Sequence, residues 1–286
     1  MGRGDSSLRL NAEPAEAVTV WRNMKLFDAT LDLAMFAKGT EDYTVSSVNG
    51  TRVICNDLSG RVHEFGGGTI WIHTGECAGY FGKIKSGKAQ TIELMTELQV
   101  AEGDQITIGA WQEFDTQTLI NAINSVLRNY KIMKTNEDLK YKPEKEYYDL
   151  PEEVTEDVRK VFIEGFWPVS GLSDYMVCSH YWRVEDQQLV IYDKHYNRYM
   201  KDGEIKLYYV DYHGPVGRHD KISGQVDPQY LRYMSWLYLC RNLIQKTHKD
   251  NLSASDMFNE AKIYERDYGQ LPNKRLMTKT MVFPSW

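Results

Sequence analysis

Residues 115–133 carry the pattern of an amphipathic helix, and this helix lies between two segments with β-strand patterns. Asp115 or Thr116 can cap its first turn. Its apolar residues recur with helical spacing on one face, and these are Leu119, Ile123, Val126, Leu127 and Tyr130. The sequence therefore predicts an α+β chain in which helices alternate with β segments.

Three further segments have helical spacing, namely 15–37, 228–247 and 255–268. Asp227 followed by Pro228 is a strong helix start, with a capping carboxylate before a proline in the first turn. Helix 228–247 is apolar on most sides, which predicts a place in the core or beneath another subunit. Together the four helices favour a helical bundle that serves as the scaffold of the fold.

Residues 43–110 contain short alternating runs such as TRVICNDL and TIWIHT. Turn signals occur at Asn49-Gly50 and Ser59-Gly60, which predicts an inserted antiparallel β-sandwich or barrel module. Residues 157–165 and 181–213 indicate a second β block, whereas the charged stretch 134–148 predicts irregular structure.

These patterns divide the chain into seven parts. They are a flexible N-terminal arm (1–14), a scaffold helix (15–40), the β module (41–112), a second scaffold helix (113–133), the second β-rich block (134–226), C-terminal helices (227–270) and a C-terminal docking arm (271–286).

The net charge is −6, from 34 basic and 40 acidic residues, so no overall positive field exists to hold nucleic acid. Residues 89–127 contain no Lys or Arg but six acids. The four cysteines form no CxxC pair, which indicates reduced thiols in a cytosol. No signal peptide or long apolar run is present, so we expect a soluble protein made in the cytoplasm, without a membrane partner.

Two groups of residues could carry chemistry. His63, Glu64, His73 and Glu76 flank a triple glycine, yet neighbours in a strand point to opposite faces and no HExxH spacing occurs. Asp211, His213, His219 and Asp220 form an acid–histidine cluster in a Gly-Pro loop. A loop joining a strand to helix 228–247 needs no chemistry to explain it, so we expect no enzyme, no metal and no cofactor. A hydrolase centred on 211–220 remains an alternative.

Aromatic residues of the β module offer another alternative. Trp71, Tyr80 and Trp111 could stack on sugar rings, which would make the module a glycan-binding unit.

The C-terminal segment 271–286 has no helical period but is rich in large apolar and basic residues. Such side chains need a groove, in their own domain or on a partner. The candidate docking residues are Met277, Met281, Phe283, Trp286, Lys274, Arg275 and Lys279.

The order of elements over roughly 100–245 resembles the head-to-tail connector (neck, adaptor) proteins of tailed bacteriophages. The segments that carry the resemblance are GDQITIGAWQEFDTQTLINAINSVLRNY, EYYDLP, GEIKLYYVDYHGPVGRHD and DPQYLRYMSWLYLCRNLI. Simple adaptors are small and helical, whereas this chain carries two sizeable β blocks.

The resemblance implies a virion structural protein that joins the portal to the tail and lets DNA pass. It implies a homo-oligomeric ring of about 12 copies, with portal protein and tail or stopper proteins as partners. Double-stranded DNA would pass without specific binding, because an acidic lining repels phosphate. The candidate lining residues are Glu93, Glu97, Glu102 and Asp104. A tail or baseplate component, or a glycan-binding β module of a phage particle, is the alternative.

Overall fold

The computed structural model describes residues 24–37, 40–58, 65–109, 115–164, 174–177, 179–192 and 202–241, with five isolated positions between 259 and 266. Within these residues the fold is mostly antiparallel β-structure, accompanied by three short helices. The helices are α1 (Leu26–Phe36), α2 (Thr116–Leu127) and α3 (Pro228–Leu239).

The strands fall on either side of α2. Before it come β1 (Met24–Lys25), β2 (Thr40–Thr44), β3 (Ser47–Asn49), β4 (Arg52–Ile54), β5 (Thr69–Ile72), β6 (Phe81–Lys88), β7 (Thr91–Leu94) and β8 (Gln105–Gly109). After it come β9 (Lys131–Tyr141), β10 (Tyr147–Asp149), β11 (Val158–Glu164), β12 (Asp174–Val177), β13 (Trp182–Glu185), β14 (Gln188–Ile191), β15 (Gly203–Tyr212) and β16 (Lys221–Ile222).

The strands between residues 40 and 109 form a half-barrel unit, a seven-stranded sheet in the order β2-β8-β5-β6-β7-β4-β3. Its two outer strands, β2 and β3, are successive parts of one extended segment. Between them the Val45 N–H donates to the Asp104 carbonyl at 2.9 Å, and the Ser46 N–H donates to the Ile54 carbonyl at 2.7 Å. The sheet is therefore strongly curled. Its interior is filled by aliphatic residues, Phe65 and Cys55.

The strands between residues 131 and 212 form the second β unit. A four-stranded sheet has the order β12-β11-β15-β9, and a three-stranded sheet has the order β10-β14-β13. All pairs are antiparallel. The two sheets share one core, which includes Tyr141, Tyr148, Leu189 and Leu207.

The three helices pack against one another and against the half-barrel unit, where Trp71 and Phe81 join the same core. The predicted caps are confirmed. The Asp115 carboxylate accepts from the Gln117 and Thr118 amides at 2.8 and 3.1 Å, and Asp227 caps α3 with Pro228 in the first turn.

The predicted helical-bundle scaffold is wrong. The helices in the described ranges are only 11 or 12 residues long, and antiparallel sheets make up most of the structure. The helix predicted over 115–133 ends at Leu127, because the chain enters β9 at Lys131.

The prediction of irregular structure at 134–148 is wrong for most of that range, since β9 continues to Tyr141 and β10 begins at Tyr147, and only 142–146 lie outside strands. Strand β9 accommodates its lysines because acidic residues on the neighbouring strand pair with them. Lys134 pairs with Asp211 at 2.7 Å, and Lys140 pairs with Glu204. Residues 15–23 and most of 255–268 lie outside the described residues.

Candidate functional site

The loop at 213–220 lies where the half-barrel unit meets the helices, and α2 holds it there. The Asn124 side-chain amide donates to the Val216 carbonyl at 3.0 Å, and its oxygen accepts from the Val216 N–H at 2.8 Å. Further along, the Gly217 N–H donates to the Asp220 carboxylate at 2.7 Å. These bonds hold the backbone before and after Arg218, and so place this residue over the half-barrel unit.

A cavity of about 220 Å³ opens between this loop and strands β5, β6 and β7. It is lined by Ile70, Tyr80, Gly82, Lys83, Leu94, Met95, Thr96, Leu98 and Arg218. Gly82 shapes one wall, because a Cβ atom at that position would lie 2.8 Å from the Tyr80 ring. The absent side chain lets the ring lie across the strand.

The cavity has an apolar floor and a basic rim. Ile70 and Leu94 are buried, whereas Lys83 and Arg218 are exposed. The Arg218 guanidinium carbon lies 5.8 Å from the centroid of the Phe81 ring, a cation–π distance. None of the lining residues is a carboxylate. The arrangement suits a group with an apolar body and a negative edge.

Residues of the acid–histidine cluster make hydrogen bonds that hold the local backbone in place. The His213 Nε2 accepts from the Ser223 N–H at 2.9 Å, and its Nδ1 lies 3.0 Å from the Gly214 carbonyl. Both ring nitrogens therefore have backbone partners, and the imidazole has no nitrogen left for a substrate. His219 is exposed, and Asp220 serves the Gly217 turn.

Asp211 of the same cluster lies in an ion pair with Lys134. Partial burial is the largest single influence and opposes ionisation of this carboxyl. The hydrogen bonds from Lys134 and from the Tyr212 backbone, together with the charge of Lys134, outweigh it and lower the pKa of Asp211. A carboxylate held ionised by a lysine is a weak general base.

The candidate metal ligands are not assembled within the described residues, where no group of three suitable side chains occurs. The His73 Nε2 lies 2.7 Å from the Thr107 hydroxyl, and its ring meets Phe27 edge-on. Glu76 is exposed, and His63 and Glu64 lie outside the described residues.

The four candidate channel-lining acids differ in their surroundings. Glu97 and Glu102 are exposed. Glu93 accepts from Lys85 at 2.8 Å and from Ser86 at 3.1 Å, which lowers its pKa. Asp104 is buried and accepts from the Ala101 N–H at 2.8 Å and the Thr74 hydroxyl at 3.1 Å. Asp104 thus fixes a turn inside the half-barrel unit, and Glu97 and Glu102 face solvent.

The aromatic residues considered for glycan binding are separated by burial. Trp71 is fully buried, and its Nε1 donates to the Thr30 hydroxyl at 3.0 Å, so it cannot stack on a sugar. Tyr80 lines the cavity. Trp111 and all seven candidate docking residues of segment 271–286 lie outside the described residues.

Sequence patterns missed Asn124, Lys83 and Arg218. Asn124 lies on the polar side of an amphipathic helix, where a solvated side chain is the ordinary expectation. Lys83 and Arg218 are far apart in sequence and meet at the cavity only through the fold.

No helix among the described residues is long and apolar enough to cross a bilayer. Comparison with models of known protein families and with curated proteins finds no match for this chain.

Proposed function

We propose that this protein is a structural protein of the tailed-phage neck, a ring-forming head-to-tail adaptor that joins the portal to the tail and lets DNA pass. The observation that carries the proposal is the surface of the three-helix cluster. Large apolar side chains on it are only half-buried, and these are Met24, Leu31, Phe36, Val126, Tyr230, Tyr233, Met234 and Tyr238. Half-buried aromatic and methionine side chains are typical of subunit interfaces.

The polar residues support a structural role as well. Asn124, His213 and Asp104 each bind backbone groups and fix loops. Rigid loops favour binding to other proteins, because less conformational entropy is lost on association.

Charge supports the passage of DNA. The exposed Glu97 and Glu102 belong to a stretch with no basic residue, and the whole chain is acidic. Carboxylates repel phosphate, whereas Lys and Arg release counterions and bind it. An acidic lining therefore lets the duplex slide.

The predominance of β-structure distinguishes the proposed protein from simple helical adaptors. A neck component with two large β units contacts its neighbours through sheets and loops as well as helices. A tail or baseplate component is the second assignment that this architecture allows.

The test is assembly with the portal protein encoded in the same phage genome. We expect the co-expressed proteins to purify together and to give, in native mass spectrometry and negative-stain images, a ring of about 12 copies on the portal. Portal protein expressed alone is the control. A monomer that stays separate from assembled portal would reject the proposal.

A further inference from the structure

The cavity beside Arg218 is too small for an ordinary small-molecule site. Ligand pockets usually enclose about 300–1,000 Å³, and this one encloses about 220 Å³. That volume suits one large side chain. Interfaces commonly place such an anchor residue in a pocket whose surroundings exclude water.

The basic rim of the cavity predicts that acidic residues lie beside the side chain that inserts into it. Lys83 and Arg218 stand at the opening, and no carboxylate lines the cavity. An apolar side chain flanked by acids would fill the floor and pair with the rim.

The chain itself presents a side chain of this kind at the edge of the three-stranded sheet. Tyr147 on β10 is 54% exposed, and β10 is an outer strand of that sheet. Asp149 is two residues further along the strand and lies on the same face, and Glu144 precedes it as an exposed acid. The neighbouring Lys145 directs its amine to the Tyr148 ring at 5.1 Å, and Tyr148 belongs to the opposite, buried face.

Other exposed tyrosines fit less well. Tyr192 lies beneath the Arg183 guanidinium at 4.9 Å, and Tyr212 lies beneath the Lys131 amine at 5.6 Å. A cation beside the ring would repel the Lys83–Arg218 rim, so charge favours Tyr147 over both.

We propose that Tyr147 of one copy inserts into the cavity of the next copy, with Asp149 and Glu144 against Lys83 and Arg218. This inference rests on the proposed ring and identifies one of its contacts. Because the two surfaces differ, the contact is head-to-tail, and its repetition gives a ring where the rotation between successive copies closes, as the proposed function requires.

The first experiment replaces the anchor. Tyr147→Ala is compared with Tyr212→Ala, a matched control because both tyrosines are exposed on β strands. Assembly is followed by native mass spectrometry over a protein dilution series, with portal protein present as the template. We expect Tyr147→Ala to raise the concentration for half-assembly by about tenfold or more and Tyr212→Ala to leave it unchanged. Circular dichroism checks that both variants fold.

The second experiment exchanges charge. Lys83→Glu and Asp149→Lys should each weaken assembly, and the double variant should recover it because opposite charges meet again across the contact. An oxidised Tyr147→Cys/Met95→Cys variant should form a ladder of covalent multimers, which neither single variant forms.

Two results would overturn the inference. One is a Tyr147→Ala protein that assembles like the wild type. The other is a Lys83→Glu protein that loses portal binding but keeps the ring, since the cavity would then serve another protein. Failure of the wild-type chain to form a ring would instead reject the proposed function.

Discussion

Side-chain amides replace missing backbone partners at two positions among the described residues. Asn124 supplies a donor and an acceptor to Val216. Gln225 does the same for Met133, with both distances at 2.8 Å, where β9 is the outer strand of its sheet. A side-chain amide carries a donor and an acceptor side by side, so neither a carboxylate nor an aliphatic residue can replace it.

Cys55 and Cys77 should react at different rates. Cys55 is fully buried in the half-barrel unit, and burial, reinforced by Asp57, raises the pKa of its thiol to about 11. Cys77 is partly exposed. Because the thiolate is the nucleophile, we expect iodoacetamide at pH 8 to modify Cys77 well before Cys55. Mass spectrometry of the peptides measures this, and in urea the two rates should converge.

The same shift makes stability depend on pH. The unfolded thiol ionises near its ordinary pKa of 9.0, whereas the folded thiol stays protonated up to about 11. Keeping this thiol protonated therefore contributes fully to the free energy of unfolding below pH 9.0. That contribution is lost as the pH rises from 9.0 towards about 11. If iodoacetamide modified Cys55 and Cys77 of the native protein at the same rate, the burial and the raised pKa of Cys55 would both be contradicted.

Local chemistry made some elements predictable. Asp115 and Asp227 each bond to amides two and three residues ahead, so the caps of α2 and α3 could be read from neighbouring residues. The end of α2 could not, because Tyr130 continues the helical spacing although the chain has already left the helix. Its burial comes from α3, since it meets Tyr230 edge-on at 5.3 Å.

The contact between α2 and the loop at 213–220 can be tested by one substitution. Asn124→Ala removes both bonds to Val216 and leaves two backbone groups without those partners, so we expect a loss of about 1–3 kcal/mol in the free energy of unfolding. Urea denaturation measures it.

Asn129→Ala is the matched control, because its side chain makes one exposed bond to the Ser125 carbonyl. It should change stability by less than about 0.5 kcal/mol. Equal effects of the two substitutions would show that the Asn124 bonds do not hold the loop.

On the scale of the whole molecule, the interior is divided. The half-barrel unit and the second β unit have separate cores, and the helices form a third with part of the half-barrel. Strand pairing within each unit could not be predicted from spacing. Thr107 donates to Asp42 across a separation of 65 residues, and no local pattern signals such a partner. The candidate site has the same origin, since its rim joins residues of both halves of the chain.

The separate cores predict separate local opening. Leu189→Ala creates a cavity in the second β unit, and Ile108→Ala creates one in the half-barrel unit, each at a cost of about 2–5 kcal/mol. Hydrogen–deuterium exchange should rise mainly in residues 131–212 for the first variant and in 40–109 for the second. A uniform rise across both units in either variant would mean that they unfold as one.

The curled sheet of the half-barrel unit has a consequence for synthesis on the ribosome. Strand β2 is the first of its seven strands to emerge, yet its partner β8 is the last. The unit cannot close until residue 109 is available, and contacts so distant in sequence form slowly. Until β8 has been synthesised, β2 has no strand partner. A nascent chain arrested before β8 should therefore be cleaved by proteases that do not cleave the folded full-length protein.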